Sequence, residues 1–315
     1  MQQEAYQALY QHAVCLPLED RGIIRLSDED RVRLLHAMCT NAVDQLQPGQ
    51  GAKALFLNDK GRILAEFRVL CRDQDLLLDT EAATRELVYQ HLDRYIIMDV
   101  VELEDVSQDW AVLALEGPRA GELLRSLSFV LPVADYAHTA NGDALLALNS
   151  YTGAAGYRLY APRAEAATWV EALRGAGFVP CDLATAEVVR LEHGHPRHGV
   201  EYGEQHLVHE AQLLDYVSFT KGCYLGQEIV ERVRSRGNVN RLLTRLVVDS
   251  AAPPPPDTPV MAGEAESGKV LSAVFSPRLD KAIAYALVRA EHVQSANGFV
   301  VSGASAGVAA SGLLG

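Results

Sequence analysis

The chain has 315 residues, 49% of them hydrophobic and 22% charged, with a formal net charge of −13. That length allows two or three domains with proper cores, and the acidic balance argues against broad, sequence-blind nucleic-acid binding. Gln2, Gln3 and Glu4 stand where a signal peptide would be basic, no apolar run of about 18–20 residues offers a membrane span, and five cysteines without CxxC spacing fit a reducing cytoplasm.

Taken in order, "AVCLPLEDRGIIRLSDEDRVRLLHAMCTN" predicts two short strands and a helix. Ser27 is the expected N-cap, and Val32, Leu34, Leu35 and Met38 form the buried side. "AKALFLN", "DKG" and "RILAEFRVL" read as strand, turn and strand, and "DLLLDT" as a third strand. "EAATRELVYQHLDRYI" is an amphipathic helix, and "AVLALEGPRAGELLRSL" is a strand and helix with Pro118 in the first helical turn. "DALLALNS" and "GYRLYAP" are strand-like, "AEAATWVEALRGAGF" is helical, and "LATAEVVRLEHG" is a helix stopped by Gly194. "LGQEIVERVRSRG" opens a short helix. The proline run in "AAPPPPDTPV" interrupts a β-rich tail that contains "RLLTRLVV", "KVLSAVFS", "KAIAYALVR" and "GFVVSG". The expected class is α+β, closed by a small all-β module from about Val239.

The stretch "TKGCYLGQE" concentrates the chemistry. Cys223 lies near Lys221 and a predicted helix start, both of which favour a thiolate. Gly222 and Gly226 permit a tight turn, and Tyr224, Gln227 and Glu228 offer hydrogen-bonding groups. Read locally, Cys223 is a nucleophile, metal ligand, redox sensor or turn residue. Cys15, Cys39, Cys71 and Cys181 read as ordinary buried cysteines. His193, His195, His198, His206 and His209 match no zinc spacing and read as solvated loop histidines, with no metal expected. Arg190 and Glu192 point to different faces of one helix, and a carboxylate suits a donor-rich ring edge such as a pterin. GxxxxGK[ST], GxGxxG after a strand, and GxSxG are missing, which weighs against nucleotide hydrolysis, dinucleotide binding and α/β-hydrolase chemistry.

Together, "KGCYLGQE", "TNAVDQLQPGQGAKALFLNDKGRILAEFRVL" and "RLEHGHPRHGVE" resemble the YgfZ proteins. These are folate-binding relatives of the glycine-cleavage T-protein, an aminomethyltransferase. The resemblance runs from near Gly22 to about Arg241, with an equivalent β module after it. It implies a GcvT/YgfZ-like multi-domain ring: an α+β folate-binding region over 1–238, with a second subdomain near 50–138 inserted in the first, and a β-barrel-like domain over 239–315. It also implies tetrahydrofolate or a one-carbon derivative as cofactor, Glu192 against the pterin, and Arg190 as an anchor.

On this reading Cys223 and Lys221 are the candidate catalytic residues, and Glu192, Tyr224, Gln227 and Glu228 the candidate folate contacts. The partners implied are reduced folate and iron–sulfur proteins or their assembly factors. The chain departs from T-proteins where their Asp-Asp pair reads Ala65-Glu66, and it has Ala42 where the Thr-Asn-Asp run ends. "VHE" stands for "PQE", which keeps Glu210. The favoured expectation is an accessory protein for iron–sulfur enzymes, including tRNA-modifying ones. The alternatives are an aminomethyltransferase that uses Glu66 as its acid, and a non-catalytic scaffold.

Overall fold

Three β structures share the chain, and each owes its shape to where the apolar residues fall. The computed structural model describes residues 1–19, 21–237, 239–294 and 298–310. Helix α1 (Gln3–Gln11) buries Ala5, Tyr6, Ala8 and Leu9, then β1 (Val14–Leu18) starts the first sheet. The chain leaves that sheet at once. Strands β2 (Gly22–Ser27), β3 (Gly51–Leu57), β4 (Ile63–Cys71), β5 (Asp75–Thr80) and β6 (Glu102–Asp105) build a second sheet in the order β3-β4-β5-β2-β6. Helices α2 (Arg31–Met38) and α3 (Arg85–Asp93) pack on one face, around Leu35, Phe56, Phe67, Val88 and Leu92.

The first sheet resumes with β7 (Trp110–Glu116) and continues, beyond α4 (Ala120–Ser126), with β8 (His138–Asn141), β9 (Ala144–Ala147) and β10 (Gly156–Pro162). After α5 (Ala166–Ala176), β11 (Val179–Pro180) pairs parallel to β1, giving the order β11-β1-β7-β10-β9-β8. The strands of the inserted sheet span 22–105. Strand β2 pairs antiparallel with β5 from Gly22↔Thr80 to Ser27↔Asp75, a long-range register that local pattern does not encode.

Helix α6 (Leu183–His193) is capped by Asp182, which accepts from Thr185 N at 2.8 Å, and ends on Gly194 at φ +72°. Helix α7 (Gln227–Arg236) precedes a closed barrel of β12 (Arg241–Val248), β13 (Pro259–Ala262), β14 (Ala265–Ser276), β15 (Lys281–Arg289), β16 (Phe299–Val301) and β17 (Ala304–Val308), with α8 (Ala290–Gln294) between β15 and β16. Ala282, Ala284 and Ala286 line the interior opposite Leu246, Val248, Val270 and Phe299. Small residues on one strand let a narrow barrel close over larger ones. The expected boundary at 238/239 touches residue 238, outside the described residues, and the barrel itself begins at Arg241.

Two local expectations change. Ser27 ends β2, and α2 begins after Asp30, because Asp28 takes φ +74° and turns the chain first. Pro118 precedes α4 and does not lie in its first turn. Among the described residues no helix is long and apolar enough to cross a membrane.

Candidate functional site

Tertiary folding brings the three motif segments of the sequence together. Thr40 Oγ1 donates to Tyr216 O at 2.7 Å and accepts from Leu55 N at 2.9 Å, while Asn41 Nδ2 donates to Lys53 O at 2.8 Å. The β3–β4 hairpin tip is seated on the start of α7. A Cβ at Gly226 (φ +84°) would lie 2.7 Å from Asn58 O, and one at Gly61 would lie 2.8 Å from Ile229 Cβ. Both glycines are therefore required by close backbone approach as well as by their left-handed conformation.

Cys223 lies exposed in this turn, whereas Cys15, Cys39, Cys71 and Cys181 are buried. Lys221 does not face it. Its ammonium donates to the carbonyls of His36, Cys39 (2.6 Å) and Asn41 (3.0 Å), closing the C-terminal end of α2. Those carbonyls have no partner within the helix, so a half-buried cation satisfies them. The ammonium is committed to these three carbonyls. Tyr224 is buried beneath the turn, and burial pushes its hydroxyl up to about 12. Gln227 and Glu228 open α7, and Glu228 is exposed.

Glu192 joins three elements of the fold. It is fully buried, and its Oε1 accepts from Tyr6 OH at 2.7 Å and Ser276 Oγ at 2.5 Å, while Oε2 accepts from Tyr10 OH. Helix α1, α6 and the barrel meet on this one carboxylate, which accepts from three hydroxyls. Glu192→Ala is expected to lower stability by about 2–4 kcal/mol, because it leaves those hydroxyls unpaired. Thermal melting checks this, and a wild-type melting temperature would refute the junction role. Arg190 is the anchor expected of it: it pairs with Glu187 (2.7 Å) and Glu201 (2.9 Å) and donates to His195 O.

A different acid stands beside a cavity. Strand alternation turns Ala65 into the α2–α3 core and Glu66 to the opposite face. Glu66 Oε1 is ion-paired with Arg68 Nη2 at 2.7 Å and accepts from Tyr216 OH at 3.0 Å, and Oε2 accepts from Tyr202 OH. Burial alone would raise this carboxyl, but the Arg68 charge and the Tyr202 hydroxyl hold it down at about 2. Tyr216 also lines a cavity of about 540 Å³ with Lys53, His195, Gln212, Leu242 and Thr244, between the N-terminal region and the barrel. Burial pushes His195 down to about 4, so its imidazole is neutral at pH 7. Cys223 is not among the lining residues.

The histidines are not the solvated set expected. His198 is buried, and His193, His195, His206 and His209 are half-buried. His193 stacks on Tyr10 at 5.5 Å, and His198 meets the Tyr202 ring edge-on at 5.6 Å. Among the described residues, no three His, Cys, Asp or Glu side chains are grouped to hold a metal ion.

The GCVT N-terminal domain model matches residues 2–221, and the glycine cleavage T-protein C-terminal barrel model matches 241–311. The chain belongs to the glycine cleavage T-protein family. Relatives include an aminomethyltransferase of Moorella thermoacetica, 30% identical over 95% of this chain and 84% of its own length. Another, from Geobacillus kaustophilus, is 30% identical over 91% and 82%. A crystal structure of glycine cleavage system aminomethyltransferase T from Bartonella henselae superposes with a TM-score of 0.89, covering 97% of this chain and 87% of that one. At 19% identity it establishes the shared fold.

Within this T-protein fold, sequence reading identified Glu66 only as a substitute acid and missed its partners. Arg68 and Tyr202 lie on strand and loop positions that carry no local signature, and Tyr216 lies in a short turn. Helix α1 was overlooked as well. Its Tyr6, Leu9 and Tyr10 recur at helical spacing, which was the available signal.

Proposed function

We propose that this chain is a folate-dependent one-carbon transferase of the aminomethyltransferase type, using the cavity beside Glu66. The observation that carries the reading is a buried carboxylate, ion-paired with Arg68 and hydrogen-bonded by two tyrosines, where T-proteins keep an acid pair, behind a cavity that Tyr216 and His195 line. A volume of about 540 Å³ suits a drug-sized ligand, and the mixed apolar and polar lining suits a pterin. A bound reduced folate would supply the ring nitrogens that accept a one-carbon unit.

The residues divide the remaining work. Glu66, with its carboxyl at about 2, stays anionic and stabilises positive charge developing nearby, most strongly in dry surroundings. Tyr216 keeps its proton and couples the cavity to that charge, since burial and the Glu66 carboxylate raise its hydroxyl far above the ordinary value. Neutral His195 offers the cavity a ring nitrogen for hydrogen bonding, and burial disfavours its protonation. The name carried by the Moorella and Geobacillus relatives supports the same reaction class. Equilibrium binding of tetrahydrofolate, followed by an aminomethyl-transfer assay with the purified chain, tests the reading. Absence of both binding and transfer would reject it.

The exposed Cys223 favours a second reading, the YgfZ-type accessory role towards iron–sulfur enzymes, tRNA-modifying ones among them. A turn cysteine exposed to solvent contributes little to packing, so Cys223→Ser is expected to move the melting temperature by under about 2 °C. On the accessory reading the variant loses the ability to restore iron–sulfur enzyme activity in cells lacking the native protein. Full complementation by a stable Cys223→Ser protein would end that reading and leave transfer chemistry untouched.

A further inference from the structure

Lys53 is the unusual cation of the cavity. Its side chain is only 17% exposed, yet its salt-bridge partner, Asp215, is 65% exposed. The ammonium sits 4.2 Å from the centre of the Tyr216 ring and 5.8 Å from that of Tyr136. Arg245, the other cation on the lining, is already committed to the carbonyls of Leu191, Glu192 and Ala310. Lys53 thus faces the cavity with a rigid aromatic platform below it and a replaceable, solvent-facing carboxylate beside it. Arg68, by contrast, is paired with Glu66 deeper in the wall.

A buried ammonium held over aromatic rings pays little further ordering entropy when it exchanges one carboxylate for another. Glu66 and Arg68 neutralise each other behind the wall, so Lys53, whose carboxylate partner is replaceable, is the positive charge that orders a ligand with its anionic end there and its polar ring inward. Resting on the folate reading above, we propose that Lys53 is the specificity residue for the glutamate carboxylate of a reduced folate, with Asp215 occupying that position in the free protein. Asp215 acts as a tethered competitor that the incoming carboxylate displaces.

Calorimetry with tetrahydrofolate and with tetrahydropteroate, which has the same ring system without the glutamate, tests this. Wild type is expected to bind tetrahydrofolate about ten- to a hundred-fold more tightly, the value of a charge-assisted hydrogen bond. In Lys53→Ala that preference should vanish, with tetrahydropteroate affinity nearly unchanged, and Lys53→Arg should restore part of it. Asp215→Asn keeps Lys53 and removes the competitor, so it should tighten tetrahydrofolate binding several-fold and leave tetrahydropteroate unchanged. Equal wild-type affinities for both ligands, or an equal loss of both in a folded Lys53→Ala, would overturn the Lys53 assignment and leave the folate reading standing. If wild type binds neither ligand, the folate reading fails and the assignment with it.

Discussion

Glu66→Gln is expected to lower aminomethyl-transfer turnover by about 10²–10³-fold while the Michaelis constant for folate changes far less. Removing one fixed group that stabilises developing charge in a water-poor site has a cost of that order. The substitution keeps the shape, but its single amide oxygen can accept from only one of Tyr202 and Tyr216, which bind different carboxylate oxygens. It removes the charge opposite Arg68, whose Nη2 lies 2.7 Å away with both side chains buried. An uncompensated buried guanidinium destabilises by about 3–5 kcal/mol, so the melting temperature should fall as well.

Glu66→Asp separates the two effects. It keeps the charge near Arg68 and should retain most of the stability, while a carboxylate withdrawn by one methylene reaches Tyr216 poorly and lowers turnover. A purely structural Glu66 would show turnover tracking the folded fraction in both variants. Wild-type turnover in folded Glu66→Gln would remove this residue from the chemistry.

The largest effect on stability is expected at Asp79, on β5. Its Oδ1 accepts from Arg21 Nε at 2.7 Å, and its Oδ2 from Arg158 Nη1 at 2.5 Å and Tyr160 OH at 2.7 Å, with Asp79 itself fully buried. Arg158 and Tyr160 belong to β10 of the other sheet, so this carboxylate ties the inserted sheet to the one that surrounds it. Burial opposes its ionisation, but Arg21 and Arg158 hold it well below its ordinary value of 3.8. Its contribution is therefore present above about pH 4 and is lost only as the pH falls through the depressed folded value.

Asp79→Ala leaves the buried Arg158 guanidinium without an anion and Arg21 with Glu81 alone, and is expected to cost at least about 3–5 kcal/mol. In calorimetry this should appear as a fall of roughly 10 °C in the first transition, or as failure to accumulate folded protein. Asp79→Asn restores hydrogen bonding without charge and should recover only part of the loss. A wild-type transition in Asp79→Ala would show that the sheets are held together by their apolar contacts alone.

Both predictions fall on residues whose importance was hard to read along the chain. Asp79 closes "DLLLDT", which reads locally as an ordinary strand. Its three partners are 58, 79 and 81 residues away. Glu66 meets Tyr202 and Tyr216 across 136 and 150 residues. Periodicity reports which side of an element is buried, but it carries no information about which distant polar group is buried opposite.

Much was nevertheless determined by the sequence itself. The β3–β4 hairpin, α5, α6 with its Gly194 stop, and the strands after the proline run all follow from period and turn chemistry, which act over a few residues. The motifs also carried the family resemblance, and their glycines at 61 and 226 prove to be where two backbones touch. Tertiary structure alone decided which chemistry each motif residue can do. It spent Lys221 on the end of α2 and closed Glu192 behind three hydroxyls. It also turned Ala65 into the core and left Glu66 charged beside the cavity. Those outcomes depend on which buried charges find partners, and a buried charge is satisfied or stranded only by groups that folding brings to it.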